Sequence, residues 1–418
     1  MPEPSTNLEV YLVGGAIRDQ LLGLQVKDRD WVVVGATPEI MLQRGFRSVG
    51  KEFPVFLHPT SKEEYALARI ERKTRPGYTG FEFDASSSIT LKQDLARRDL
   101  TINAMAETPD GKLIDYFGGK KDLENGILRH VSDAFAEDPV RVLRVARFAA
   151  RYCFVIADET RNLMQQMVDN GEVDTLVPER VWNELRLALG ESRPSLFIQA
   201  LRDCNALDRI FPEINRLFGV PQTKKYHPEI DTGLHTLLVI DHAAKLSDDS
   251  QVQFAALVHD LGKGLTPEAE WPSHRNHERL GLRTIRDMCS RLRVPNQYRD
   301  LALAVCEYHL LVHRVAQLKP STIIKLFENI RAFQHPHRLK QLTLACEADM
   351  RGRTGFENRE YPQGEILHRY YEAAQSVKTN AIVKDRQGGE IADEVHRQRC
   401  KAIEKLKTSE QKNKKQIL

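Results

Sequence analysis

The sequence predicts an α+β protein, with an α/β head over about the first third and an all-α remainder. In the first third, short apolar runs ("VYLV", "WVVV", "EYALARI") alternate with helix-period stretches ("AIRDQLLG", "TPEIMLQRG"). From "DPVRVLRVARFAARY" onward only helical periods persist, as in "RVWNELRLALGE", "PSLFIQALRDCNAL" and "STIIKLFENIRAF". A chain of 418 residues also exceeds one ordinary hydrophobic core, which calls for two or more domains.

Composition narrows the class. Hydrophobic residues at 41% and charged residues at 28% exclude a disordered or membrane-embedded chain. With 61 Lys+Arg against 58 Asp+Glu, the net charge of +3 gives no bulk attraction to polyanions, so any nucleic-acid site must come from local clustering. The six cysteines, Cys153, Cys204, Cys289, Cys306, Cys346 and Cys400, are scattered without a C-x-x-C pair, which predicts a reducing cytoplasm. The start "MPEPSTNLEV" lacks a signal-peptide pattern, and no apolar run approaches the roughly 20 residues of a membrane span. A cytoplasmic protein with no membrane partner is expected.

Taken in order, "YLVGGAIRDQLLG" reads as a strand, a Gly14-Gly15 turn and a helix, which aims free N–H groups at whatever lies over the turn. Phosphate is the natural guest; Gly15 supplies the close approach and Arg18 a cation beside it. Next, "VKDRDWVVVGA" opens a strand with Asp28 and Asp30. Positions two apart share a strand face, so two like charges stand side by side, at a solvated strand end or around a divalent cation. Glu71 is either a third carboxylate or a surface acid between Arg69 and Arg72. The stretch "RKTRPGYTGFEFDASSS" reads as a long functional loop. On a helical projection Arg141, Arg144, Arg147 and Arg151 fall within roughly a third of the circumference, opposite Val142, Val145, Ala146, Ala149 and Ala150. Arginine throughout, with no lysine, favours forked donors for phosphate and base edges over an ordinary solvated face. The terminal "KLKTSEQKNKKQIL" reads as a frayed tail.

Five motifs in order, "LVGGAIRDQLLG" with "DRDWVV", "RRDLTINAMA", "LIDYFGGKKDL", "EDPVRVLRVARFAARY" and "PERVWNEL", resemble the bacterial class II CCA-adding enzymes, the tRNA nucleotidyltransferase branch of the nucleotidyltransferase superfamily. The resemblance implies a polymerase-beta-like head, tRNA as acceptor, CTP and ATP as substrates, and catalytic Asp28 and Asp30 holding Mg2+. It further implies that Asp138 and Arg141 bond the edge of the incoming base, that Arg144 and Arg147 lie nearer the triphosphate, and that Arg98 contacts the nucleotide. Asp99 either faces the ribose or braces Arg98. One departure is Asp115-Tyr116, where the family often has Asp-Pro.

Farther on, "GLHTLLVIDHAAKL", "VQFAALVHDLGKG" and "HRNHERLG" resemble the metal-dependent HD phosphohydrolase pattern. His235, His259 and Asp260 are its candidate ligands, suited to a divalent transition metal such as Ni2+, and either His277 or His309 completes the set. The fusion resembles the multifunctional bacterial form, which implies phosphatase, 2′-nucleotidase and 2′,3′-cyclic phosphodiesterase activities. The expected division is a catalytic head over 1–140, a helical nucleotide-selecting neck over 141–222, an HD domain over 223–333 and a helical tail region over 334–418. The rival readings are a poly(A) polymerase or partial adder of the same superfamily, and an HD phosphohydrolase whose front half only binds RNA. Oligomeric state is left open, with a homodimer allowed.

Overall fold

The computed structural model describes residues 5, 8–49, 55–73, 81–84, 86–379 and 389–417; the side chains of 71–73, 81–84, 389 and 411–417 lie outside that description. The chain forms two compact units, Met1–Ala188 with Leu196–Ile210, and Leu189–Ser195 with Phe211–Leu418.

The first unit is built on a mixed sheet ordered Arg47–Val49, Val55–Leu57, Glu64–Leu67, Asp30–Val34, Glu9–Val13, Ala106–Glu107 and Leu113–Ile114. Asp30–Val34 runs antiparallel to Glu9–Val13, from Glu9 opposite Val34 to Val13 opposite Asp30, and parallel to Glu64–Leu67. Both faces are covered, because alternate residues feed different cores. Val33 packs with Met41, Phe46 and Phe56 on one side, and Val32 with Val13, Leu91 and Leu95 on the other. Asp30 shares the face of Val32, and so points toward the side where the helix Leu91–Ala96 ends in Arg97 and Arg98.

Three sequence readings are corrected here. The strand begins at Asp30, and Asp28 precedes it in irregular chain, because the partner strand ends at Val13 and leaves nothing for Asp28 to pair with. The stretch read as a loop contains a two-stranded ribbon, Ile70–Lys73 against Phe81–Asp84; its Pro-Gly centre masked the strand-forming "FEFD". Glu71 lies on this ribbon opposite Phe83, with its side chain outside the described residues, as are 74–80. Finally, the lysine-rich tail continues the helix Gly389–Ile417. Ile403 is fully buried, Lys407 Nζ donates to the Leu318 carbonyl at 2.5 Å, and Arg369 pairs with Glu410 at 3.1 Å. The helical stripe at 403, 407 and 410 is hidden from composition because lysine packs by its stem.

The second unit is helical among its described residues. Thr232–Leu246, Ser250–Val258, Asn296–His313 and His337–Arg351 pack on one another, with Val239, Ala243, Ala256 and Ala348 allowing close approach. The helix His277–Arg291 lies against the turn Leu261–Leu265, where a Cβ on Gly262 would collide with the His277 carbonyl. That glycine lets His277 come up to Asp260.

Candidate active sites

In the first unit a cavity of about 470 Å3 opens where the Gly14-Gly15 turn, Asp30, the segment after Leu91–Ala96 and the start of the helix Val140–Tyr152 meet. Arg18, Arg97, Arg98, Arg141, Arg144 and Arg180 line it against only three acids, Asp30, Asp99 and Asp138. That imbalance attracts an anion. Gly14 has φ +72°, and a Cβ there would lie 2.8 Å from Arg98 Nη1, so glycine is what lets Arg98 reach over the turn.

The arginines are held rather than loose. Arg18 is buried, donates from Nε to Asp19 at 2.9 Å and from Nη1 to Asn103, and its guanidinium sits 5.2 Å from the rings of both Phe148 and Tyr152. Arg98 donates to Asp94 at 3.2 Å, while its buried Nε has no hydrogen-bond partner among the described residues. Asp99 accepts from Arg144 Nε at 2.8 Å, Asn103 Nδ2 at 3.0 Å and the Leu100 amide at 2.8 Å. Burial opposes its charge, but Arg144 and Asn103 prevail and hold the carboxyl well below the usual range.

Along the arginine helix each cation has its own partner. Arg141 donates 2.7 Å bonds to the carbonyls of Ala134 and Arg97, Arg147 pairs with Glu184 at 2.7 Å, and Arg151 reaches Asp19 at 3.3 Å. Asp138 is gripped by both prongs of Arg180, at 3.1 and 2.7 Å, and by the Val140 amide at 3.0 Å. A carboxylate has about four acceptor positions, so one remains for a ligand.

The structure thus brings Gly15, Arg18, Asp30, Arg98, Asp138, Arg141 and Arg144 to one cavity. Arg147 is not among its lining residues; it is buried against Glu184. Asp28 does not line the cavity either, yet its charge acts on Asp30. Asp30 has its pKa raised by the atoms packed around it, with Asp28 adding to that and Arg98 opposing it. Two coupled oxygen donors suit a hard divalent cation. Sequence reasoning missed Asn103 and Arg180, although both lie inside quoted motifs, "RRDLTINAMA" and "PERVWNEL".

In the second unit, His235, His259 and Asp349 form one buried group, and Asp260, His277 and His309 another; in each, one ligand atom per residue lies within 4.8 Å of the others. His259 Nε2 is 3.1 Å from Asp260 Oδ2, so the groups adjoin. His277 and His309 both approach Asp260 Oδ1, at 3.3 and 3.8 Å, and the choice between them that the sequence left open becomes a pair.

Three of these rings are fixed the same way. Nδ1 of His259 donates to the Ala256 carbonyl at 2.7 Å, that of His277 to His274 at 2.8 Å, and that of His309 to Val305 and Cys306 at 3.1 Å. In the neutral form each ring then carries its lone pair on Nε2, on the side of the acids. His235 has Glu229 2.9 Å from its Nδ1 and Asp349 3.1 Å from its Nε2. Burial drives His309 down to about 3, so it stays neutral and able to ligate. His259 Nε2, His277 Nε2 and Asp260 Oδ1 are buried with no hydrogen-bond partner among the described residues. Such orphaned atoms are costly unless a cation satisfies them, so this donor set fits a divalent metal. Lys263 pairs with Asp260 Oδ2 at 2.6 Å, which explains the lysine of "LGKG". Asp349, from beyond 333, was missed because the run "LTLACEADM" holds it beside Glu347 with no neighbouring histidine to mark it as a ligand.

Family models match three segments: the poly A polymerase head domain over 10–129, the probable RNA and SrmB-binding site of polymerase A over 153–218, and the HD domain over 232–346. The multifunctional CCA protein of Nitrosococcus oceani is 60% identical over 397 residues, covering 95% of this chain and 98% of that protein. That of Vibrio campbellii is 57% identical over 400 residues, covering 95% and 98%. Among solved structures, a tRNA-processing enzyme in apo form I superposes with TM-score 0.59 at 25% identity, over 96% of this chain and 94% of that one. A Thermotoga maritima CCA-adding enzyme complexed with tRNA gives TM-score 0.61 at 21% identity over 96% and 88%, and supports the fold. The expected α+β architecture, a polymerase-beta-like head followed by helices that include an HD domain, is therefore present. The chain belongs to the multifunctional CCA protein family, tRNA nucleotidyltransferases that carry an HD domain.

Proposed function

We propose that the first unit adds the 3′-terminal CCA to tRNA from CTP and ATP with release of pyrophosphate, and that the second unit is a metal-dependent phosphohydrolase. The observation that carries the first reading is the cavity that six arginines and Asp30 line beside the Gly14-Gly15 turn. Arg18 and Arg98 receive the triphosphate, Arg18 locked by Asp19, Asn103 and two rings. Asp138, held in plane by Arg180, offers its remaining acceptor to the exocyclic amine of cytosine or adenine, and Arg141 and Arg144 frame the base and phosphates. No nucleic-acid template is needed, because an acid that accepts and an arginine that donates present an edge to either base. When bound, Mg2+ on Asp28 and Asp30 supplies charge neutralisation for in-line phosphoryl transfer to the tRNA 3′-hydroxyl.

In the second unit, His235, His259, Asp260 and Asp349 would hold a divalent transition metal such as Ni2+, with His277 and His309 offering a second place at Asp260. Such a metal supplies Lewis-acid activation for phosphoester hydrolysis, matching the phosphatase, 2′-nucleotidase and 2′,3′-cyclic phosphodiesterase reading. Among the described residues no disulfide joins the six cysteines, which supports a reducing, cytoplasmic setting.

The test is to incubate the protein with tRNA lacking its end, with CTP alone, ATP alone and both. Full CCA appears only with both nucleotides if the reading holds. A long adenosine tail from ATP alone would point to a poly(A) polymerase, and no incorporation in any arm to an HD hydrolase with a binding front half.

A further inference from the structure

We propose that the cavity of about 580 Å3 beside the histidine cluster is the nucleoside subsite of the second unit, taking a ribonucleoside 2′- or 3′-phosphate with its base on Phe356 and Tyr226; this rests on the phosphohydrolase reading. Its position is fixed by two residues of its wall. His313 Nε2 donates to Asp349 Oδ2 at 2.6 Å and Arg353 Nη2 to Asp349 Oδ1 at 3.3 Å, so the cavity is one side chain away from the candidate metal ligands. Tyr361 braces that wall by donating its hydroxyl to His313 Nδ1 at 3.0 Å.

The lining has the chemistry of a nucleotide site. Lys225, Arg353 and Arg359 face a single acid, Glu360. Two of these cations sit against rings: Arg359 lies 4.9 Å from the centre of Phe356, and Lys225 Nζ lies 5.3 Å from that of Tyr226. Tyr226 is 54% exposed, which is poor core packing and good stacking surface. On the same wall, Arg353 Nε and Gln363 Oε1 are buried with no hydrogen-bond partner among the described residues. One is a donor suited to a phosphate oxygen and the other an acceptor suited to a ribose hydroxyl, so a ligand with both groups satisfies both. The volume lies in the ordinary range for a small-molecule site.

Adenosine 2′-monophosphate titrated calorimetrically into the chelator-treated full-length protein tests this without the metal. Phe356→Ala, and independently the exposed Tyr226→Ala, are expected to weaken binding roughly tenfold, the loss of one stacked base. With metal restored, the same variants raise KM for this nucleotide at nearly constant kcat and leave tRNA end addition intact, showing that the chain is folded. An oligoribonucleotide ending in a 2′-phosphate competes for the site if RNA ends are its source; failure to compete restricts it to free nucleotides. Absent binding to the wild type, or wild-type affinity in both variants, overturns the proposal. Weakened binding in the variants with no hydrolysis by any loaded protein would keep the subsite and reject the phosphohydrolase reading.

Discussion

The cavity of the first unit and the histidine cluster of the second are both suited to divalent cations, yet they are built in opposite ways. Asp28 and Asp30 are exposed, and of the arginines lining the cavity Arg98 pairs with Asp94, Arg144 with Asp99 and Arg180 with Asp138. His235, His259, Asp260, His309 and Asp349 are at most 3% exposed, and several of their ligand atoms have no hydrogen-bond partner among the described residues. An exposed carboxylate pair can wait in water for a cation that arrives with the nucleotide. A buried cluster of acids and imidazoles cannot, because water does not reach it and ligand atoms such as His259 Nε2 and Asp260 Oδ1 have no hydrogen-bond partner among the described residues. On the proposed reading, a metal in the second unit would accordingly be part of its structure, and one in the first part of its substrate complex.

The largest effect that could break this contrast is chemical. Asp260→Asn, which alters a member of one buried triad that also lies 3.1 Å from His259 of the other, should lower phosphoester hydrolysis by about a thousandfold or more while tRNA end addition stays near wild type, measured on one preparation. The next is thermodynamic. Restoring a tightly bound metal at about a thousand times its Kd should stabilise the chelated protein by about 4 kcal/mol, seen by calorimetry as an upward shift confined to one transition. Equal stabilisation by Mg2+ acting through Asp28 and Asp30 would erase the distinction.

A smaller effect concerns Arg147 and Glu184, whose side chains are 10% and 9% exposed. Glu184→Gln should cost about 3 kcal/mol in urea unfolding, because it leaves a buried cation without its counter-charge. If Arg147 acts through packing, the KM for CTP changes little; a large rise would restore it as a direct triphosphate contact. The smallest effect is with pH. Asp94 and Asp99 have folded pKa values below the unfolded ones, so the unfolded chain binds more protons and stability rises with pH. Their contribution is complete above about pH 5 and is lost as the solution is acidified below about pH 4. Asp99→Asn should flatten that acid slope in thermal melts, and an unchanged slope would assign it to other carboxylates.

How much of this was legible in the sequence differs between the two sites. In the first unit local motifs carried most of it, since Gly15, Arg18, Asp30, Arg98, Asp138, Arg141 and Arg144 lie on short strand, turn and helix units whose geometry follows from spacing. What stayed hidden was pairing at long range: Arg147 with Glu184, Asp138 with Arg180, and Arg144 with Asp99. A helical projection gives the face of an arginine but not the acid opposite it. In the second unit the adjacent His259-Asp260 was visible, whereas Asp349 was not. It comes from the helix His337–Arg351, and only the packing of that helix on Thr232–Leu246 and Asn296–His313 brings it to His235.

The most direct test of the account is to assay Asp30→Ala for both activities in parallel with wild type. CTP and ATP incorporation into end-deficient tRNA should disappear, while metal-dependent phosphoester hydrolysis and the thermal transitions remain. Retained incorporation would contradict the assignment of Asp30 and, with it, the reading of the arginine-lined cavity as the nucleotide site.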